Sequence, residues 1–331
     1  MTKTGLQNLI RSSQIAAQYS TSPSVSPEPG HSGHSGQHAA PGPSPGLFDP
    51  TSYRSVHNLA VNSDKRNFED LLKKTAEAIF MCKCLKFNGF FGGLSSSSSS
   101  DNLRGEVFVS SLLLRHLQIV STNGLEIAEC ILKNNDITKF DIIPVGGAIF
   151  PTMSFFNHSC YPNALRIGYQ SHQIVRVIRR IPKGGEVNID YGFDFYATPI
   201  EYRHKRAATN YHFKCDCVAC SNKWPVYDKL VDKPPQYRNK LTPDVTMEIA
   251  RQASNYQHAM EYLVRLDINR ATPLLGEYLA VMENMIVHPD ARYLDCEEAY
   301  KQCLWLENRG YKVLRDKQVP KGLTSVSLDK K

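Results

Sequence analysis

The chain has 331 residues, 41% hydrophobic and 21% charged, with a formal net charge of +7. That length suits one large domain or two modest ones, each with a buried core. No apolar run approaches the roughly 20 residues a membrane-spanning helix needs, so no membrane association is expected. The N-terminus lacks the apolar stretch of a secretory signal. Nine cysteines without such a signal point to a reducing compartment, where thiols more often hold metal than form disulfides. The positive excess is compatible with protein partners and too scattered to argue for nucleic acid by itself.

Residues 1–27 contain no Asp or Glu and carry Lys3 and Arg11, a faint presequence-like pattern that reads more simply as a disordered start. Residues 12–46 are Ser, Pro, Gly and His, with little to enter a core, and are expected to be disordered. His31, His34 and His38 fall in this low-complexity stretch.

From Pro50 the pattern turns globular. Phe68, Leu71, Leu72, Ala76, Ile79 and Phe80 recur on one face of a helix. Asn88 to Asn102, with its serine run, predicts a loop. Leu113, Leu114, Leu117 and Val120 predict a second helix, and Ile127, Ile131 and Leu132 a third. After Asp141 short β-rich runs follow: Ile142-Ile143, Ala164 to Tyr169, Gln173 to Ile178 and Glu186 to Ile189. Turn residues between them predict a small, antiparallel, loop-rich sheet. Beyond Trp224-Pro225 three helical stripes predict a helical-hairpin region of the tetratricopeptide type. They are Tyr256 to Leu266, Leu275 to Ile286 and Tyr300 to Leu306.

Two segments carry chemistry. Cys215, Cys217 and Cys220 are spaced so that three thiolates occupy three corners of a tetrahedron around Zn²⁺, which then needs a fourth ligand. Spacing leaves Cys82, Cys84, Cys130, Cys160, Cys296, Cys303 or a histidine open for that position. Cys160 stands out because it sits in the other unusual segment, Asn157-His158-Ser159-Cys160-Tyr161-Pro162-Asn163. Cys130, Cys296 and Cys303 read as buried small hydrophobes in helical stripes, and Cys82 and Cys84 as packing. His158 has no carboxylate near it in sequence to orient it. Tyr191, in Asp190-Tyr191-Gly192, ends a predicted strand.

Asn-His-Ser-Cys-x-Pro-Asn, a Lys-Gly-x-Glu turn, a strand ending in Asp-Tyr-Gly, and Cys-x-Cys-x-x-Cys follow one another here in the order of a SET domain. Within that family the chain resembles the SET-and-MYND group, over roughly Asp49 to Arg315. The resemblance implies an α+β fold: a small, partial, knot-like SET core, a helical insert before it and an all-α region after it. The implied segments are a disordered 1–46, a helical insert at 47–140, the C-terminal half of the SET domain at 141–193, a post-SET zinc segment at 194–224 and the helical region at 225–331.

It further implies an S-adenosylmethionine-dependent protein-lysine methyltransferase, acting on an exposed lysine of a histone or another protein in cytoplasm or nucleus. Asn157, His158, Tyr191 and Phe213 would contact the cofactor, with Phe213 against the adenine, and Tyr191 would also orient the lysine. Cys160, Cys215, Cys217 and Cys220 would hold a structural zinc. The helical C-terminal region offers a surface for protein partners. The family's Gly-x-Gly strand and MYND cysteines have no match here, so the chain is expected to be N-terminally incomplete. The alternative is a non-catalytic SET remnant acting as a zinc-stabilised scaffold. A zinc-dependent nucleic-acid binder is a third reading, motivated by Arg176-Arg179-Arg180 and Arg203 to Arg206, which read as solvated faces.

Overall fold

The computed structural model describes residues 48–91, 99–169, 172–307 and 311–314. The segment expected to be disordered, 1–46, lies outside them. The chain divides into two compact units. Of the described residues, one comprises those up to Gly124 with Ile149–Thr152, the other Leu125–Ala148 and those from Met153 on.

The first unit is helical. Helix α1 spans Tyr53–His57, α2 Phe68–Phe87 and α3 Ser99–Asn123. Asn67 caps α2 by accepting from the Asp70 N–H at 2.8 Å, and Glu69 and Asp70 place negative charge on its first turn. Arg66, nearly buried, ties the ends of α2 and α3 together. It reaches Asp70 at 2.8 Å, the Gln118 carbonyl at 3.0 Å and the Thr122 hydroxyl at 2.7 Å. Of the predicted loop Asn88 to Asn102, residues 92–98 lie outside the described residues, and Ser99 to Asn102 are helical instead. Cys82 is buried, as a packing residue should be, whereas Cys84 is exposed.

The predicted third helix is instead strand β1, Gly124–Lys133, followed by β2, Asp136–Ile149. Ile127 and Ile131 are four apart, which suggested a helix. Ala128, Cys130 and Leu132 alternate with period two, and all three are buried. Cys130 and Leu132 enter the core of the C-terminal helices. Tertiary burial therefore selects the strand over the weaker helical period. β1 lies between β2 and a parallel partner, β7, at Tyr311–Leu314.

The remaining strands are short. β3 (Asn157–His158) pairs in parallel with β6 (Asn188–Ile189). β4 (Ala164–Tyr169) and β5 (His172–Val177) form the antiparallel hairpin that the sequence predicts. The fold is thus α+β, and among the described residues three sheets combine parallel with antiparallel pairing.

Helices α6 (Pro243–Val264), α7 (Ile268–Met285) and α8 (Ala291–Leu306) form the C-terminal region, after the short α4 and α5 described below. Thr242 with Pro243, Asp267 and Asp290 supply their N-terminal stops. Leu263, Leu275, Met282, Tyr293, Cys296 and Cys303 are buried in one core, which confirms the two helical cysteines as small hydrophobes. Among the described residues no helix is long and apolar enough to cross a membrane.

A buried charge cluster joins α8 to the β-rich part of the same unit. Glu297, 1% exposed, meets Lys301 at 2.9 Å and Arg179 at 3.6 Å. The Arg179 guanidinium lies 3.3 Å over the Tyr161 ring, beside Cys160. Removing one member of such a cluster strands the others' charge without water. Glu297→Ala is therefore expected to lower stability by roughly 3–5 kcal/mol in urea unfolding. A change under 1 kcal/mol would show that the cluster is solvated.

Candidate functional site

The short β3–β6 pairing is the hinge of the site. It sets Asn157 against Asn188 and His158 against Ile189, and the Ser159 N–H continues the ladder to the Ile189 carbonyl at 3.1 Å. Asn163 fixes the crossing. Its carboxamide donates to the Glu186 carbonyl and accepts from the Asn188 N–H, both at 2.9 Å, while its own carbonyl accepts from Ile178 and Arg179. Two segments whose paired residues are 31 apart in sequence are thereby held side by side. Asn157 remains exposed, with its Nδ2 donating to Glu186 Oε1 at 2.5 Å.

The four cysteines converge. The Sγ atoms of Cys160, Cys215, Cys217 and Cys220 all lie within 4.8 Å of one another. Cys160 Sγ stands 3.8 Å from Cys215 and 3.6 Å from Cys220. A Zn–S bond of about 2.3 Å makes the edge of a regular tetrahedron about 3.8 Å, so these separations suit a four-thiolate zinc site. They are far too long for a disulfide. Cys160 thus fills the position that spacing alone left open. The short helix α5, Val218–Ser221, starts at Cys217 and places Cys220 one turn on, its N–H bonded to the Cys217 carbonyl at 2.9 Å.

Hydrogen bonds from Cys160 and Cys215 hold the Cys217 thiol far below its ordinary range. The same contacts, to Cys215 and Cys217, push Cys160 far above. A divalent cation at the centre would deprotonate all four. Four cysteine sulfurs at these separations are a donor set that fits zinc.

Two cationic or donor groups face the sulfurs. Arg203, wholly buried, points Nη2 at Cys220 Sγ, 3.9 Å away, while Nη1 donates to the Thr198 carbonyl at 2.7 Å. His158 Nε2 lies 3.2 Å from Cys160 Sγ. The basic runs are therefore not simply solvated faces, since Arg203 is at the cluster and Arg179 is stacked on Tyr161. Nothing in the local sequence marks Arg203 apart from its neighbours.

Tyr191 stands on the other side of His158. Its N–H donates to His158 Nδ1 at 3.1 Å, and its hydroxyl donates to the Phe156 carbonyl at 2.6 Å. Burial pushes the hydroxyl up to about 12, so it keeps its proton at neutral pH. Burial likewise lowers His158 to about 4, so the imidazole is neutral. Asp190 supplies the carboxylate that the sequence near His158 lacks, although its Oδ1 is 3.8 Å from Nδ1 and instead accepts from Gly192 and Phe193.

The aromatic wall follows. Helix α4 (Ile200–Arg206) runs into a π turn, Ala207–Tyr211, which ends at His212 in the left-handed conformation, φ 61°. That turn re-aims the chain just before the cysteines, as such turns commonly do at functional sites. It sets Tyr211 4.8 Å from the Tyr191 ring, and half-buried Phe213 6.1 and 6.5 Å from His158 and Tyr191. All four residues assigned to the cofactor site therefore neighbour one another, either along the β3–β6 crossing or around the His158 ring. Tyr211, Phe193 and Arg203 are additions that sequence reasoning missed.

Residues 57–192 match the SET domain family. Histone-lysine N-methyltransferase SMYD3 of Mus musculus is 34% identical over 96 residues, which is 29% of this chain and 22% of that protein. N-lysine methyltransferase SMYD2-A of Xenopus laevis is 31% identical over 134 residues, 38% of this chain and 30% of that one. Protein-lysine N-methyltransferase SMYD4 of Mus musculus is 26% identical over 178 residues, 51% of this chain and 22% of that one. These aligned spans cover less than a third of the relatives' own lengths. The ordered motifs and the crossing of β3 with β6 agree with the SET domain match, which reaches as far as Gly192. The three relatives named here are lysine methyltransferases, and the chain is similar to them over these spans only.

Proposed function

We propose that the site serves S-adenosylmethionine-dependent methylation of a lysine on a protein substrate, with a structural zinc in the four-cysteine cluster. The observation that carries this reading is the Tyr191 hydroxyl. It is kept protonated and committed as a donor to the Phe156 carbonyl. Its lone pairs are then left to accept from a lysine nitrogen, and the Phe156 carbonyl adds a second acceptor nearby.

The sulfonium cofactor supplies the activated methyl group. The protein's task is to hold a neutral amine in line with that carbon, so positioning and fixed dipoles account for the rate. Phe213 offers an apolar face for the adenine, and the exposed Asn157 carboxamide offers donor and acceptor atoms for the nucleoside. Four thiolates leave zinc no open position, so the metal would shape the wall that carries Phe213 and take no part in the chemistry. Free thiols at this density suit the reducing cytosol or nucleus. The relatives' names, histone-lysine and N-lysine methyltransferase, support a lysine-bearing protein substrate.

Calorimetric titration of the zinc-loaded chain with S-adenosylmethionine is expected to show one cofactor per chain. Absence of binding at millimolar cofactor would overturn the reading and favour a zinc-stabilised scaffold.

A further inference from the structure

His158 lies between the Tyr191 backbone and the Cys160 sulfur. Its Nδ1 accepts the Tyr191 N–H at 3.1 Å, so Nδ1 carries the lone pair. In a neutral imidazole the proton then sits on Nε2, which faces Cys160 Sγ at 3.2 Å. The hydrogen-bond partners thus determine the tautomer. The ring is buried, and Phe193 packs on it with centroids 4.0 Å apart, so it has little freedom to turn. Asp190 does not compete for Nδ1, because its Oδ1 is occupied by two N–H groups at 2.9 Å.

We infer that His158 is a positioning residue that ties the backbone of Tyr191 to the metal cluster, through one bond donated to the Cys160 thiolate and one accepted from Tyr191. A thiolate bound to zinc keeps lone pairs and accepts an N–H well, and bonds of this kind to a metal ligand are worth about 10–100-fold in metal affinity. Filling the cluster strengthens the Nε2 bond and fixes the ring. The fixed ring holds Tyr191 in register with the Phe156 carbonyl. Metal occupancy thereby reaches the tyrosine without any metal chemistry. The consequence for catalysis rests on the methyltransferase reading, but the bonding pattern does not.

The two ends of the ring can be separated. His158→Gln places an amide N–H near the Nε2 position and loses the Nδ1 acceptor. His158→Asn places a carbonyl oxygen near Nδ1 and loses the donor to sulfur. Zinc affinity is measured by chelator competition, and the Tyr191 and Ser159 amides are followed by hydrogen exchange on the zinc-loaded proteins.

His158→Gln is expected to keep zinc affinity within about threefold while Tyr191 exchange accelerates about tenfold or more, with Ser159 unchanged. His158→Asn is expected to lose about 10–100-fold in zinc affinity and keep Tyr191 protected. If both variants move both readouts together, or neither variant moves either, His158 is ordinary packing and the inference fails. If the exchange and zinc results hold while the wild-type chain binds no cofactor, the methyltransferase reading fails and the bonding inference stands.

Discussion

Stripping zinc from the chain is expected to abolish cofactor binding while leaving the C-terminal helices folded. Cys160 and Cys215 bring together segments 55 residues apart in sequence, and among the described residues no sheet joins the stretch 215–220 to the β3–β6 crossing. Structural zinc in small sites contributes of order 10–16 kcal/mol of apparent folding free energy. Without it, four thiolates within 4.8 Å would repel one another and must take up protons, and buried Arg203 then loses anionic charge beside it. Phe213 lies two residues from Cys215, so the wall it forms is anchored by the metal. Chelation, or Cys215→Ser, should therefore weaken S-adenosylmethionine binding about a hundredfold or more. Leu263, Leu275 and Met282 belong to a core that contains none of the four ligands, so the helical circular dichroism should persist. Cofactor affinity unaffected by metal removal would separate the cluster from the site.

Tyr191→Phe is expected to lower kcat for lysine methylation about 10²–10³-fold with little effect on cofactor affinity. The substitution keeps the ring, and with it the contacts to Tyr211, His158 and Phe213. The N–H to His158 also remains, since it is backbone. Only the hydroxyl that would orient the amine is lost. The pH profile follows from the same atoms. Tyr191 is raised to about 12, so its proton is retained throughout the range in which a lysine amine, ordinarily near 10.4, loses its own. The rate should rise with pH as the substrate amine deprotonates, with no downturn from tyrosine below about pH 11. A Tyr191→Phe enzyme with unchanged kcat would remove the hydroxyl from the mechanism.

The four-cysteine cluster was the most legible feature, because three thiols at Cys-x-Cys-x-x-Cys spacing have few uses other than holding a metal. The fourth ligand required more than spacing. Cys160 is brought in by the β3–β6 crossing, and a two-residue strand leaves almost no periodic signal. The helices after Pro243 were readable because their caps and apolar stripes agree. β1 was misread because Ile127 and Ile131 fit a helical period, while the burial of Cys130 and Leu132 that decides the matter comes from helices more than 100 residues later in the sequence. Arg203 and Arg179 looked like surface charge, since basic clusters usually are. Their burial depends on acceptors distant in sequence: Cys220 for one, and Glu297 with the Tyr161 ring for the other. The orientation of His158 was equally invisible, because both of its partners are fixed only when the chain crosses itself.

The most direct test of the whole account is methyl transfer itself. The zinc-loaded chain, supplied with isotopically labelled S-adenosylmethionine, is incubated with a protein or peptide array rich in exposed lysines and then read by mass spectrometry. Labelled methyl groups are expected on lysine side chains, and are expected to be lost in Tyr191→Phe and in Cys215→Ser. A zinc-loaded chain that binds cofactor yet transfers no methyl group to any lysine would contradict it.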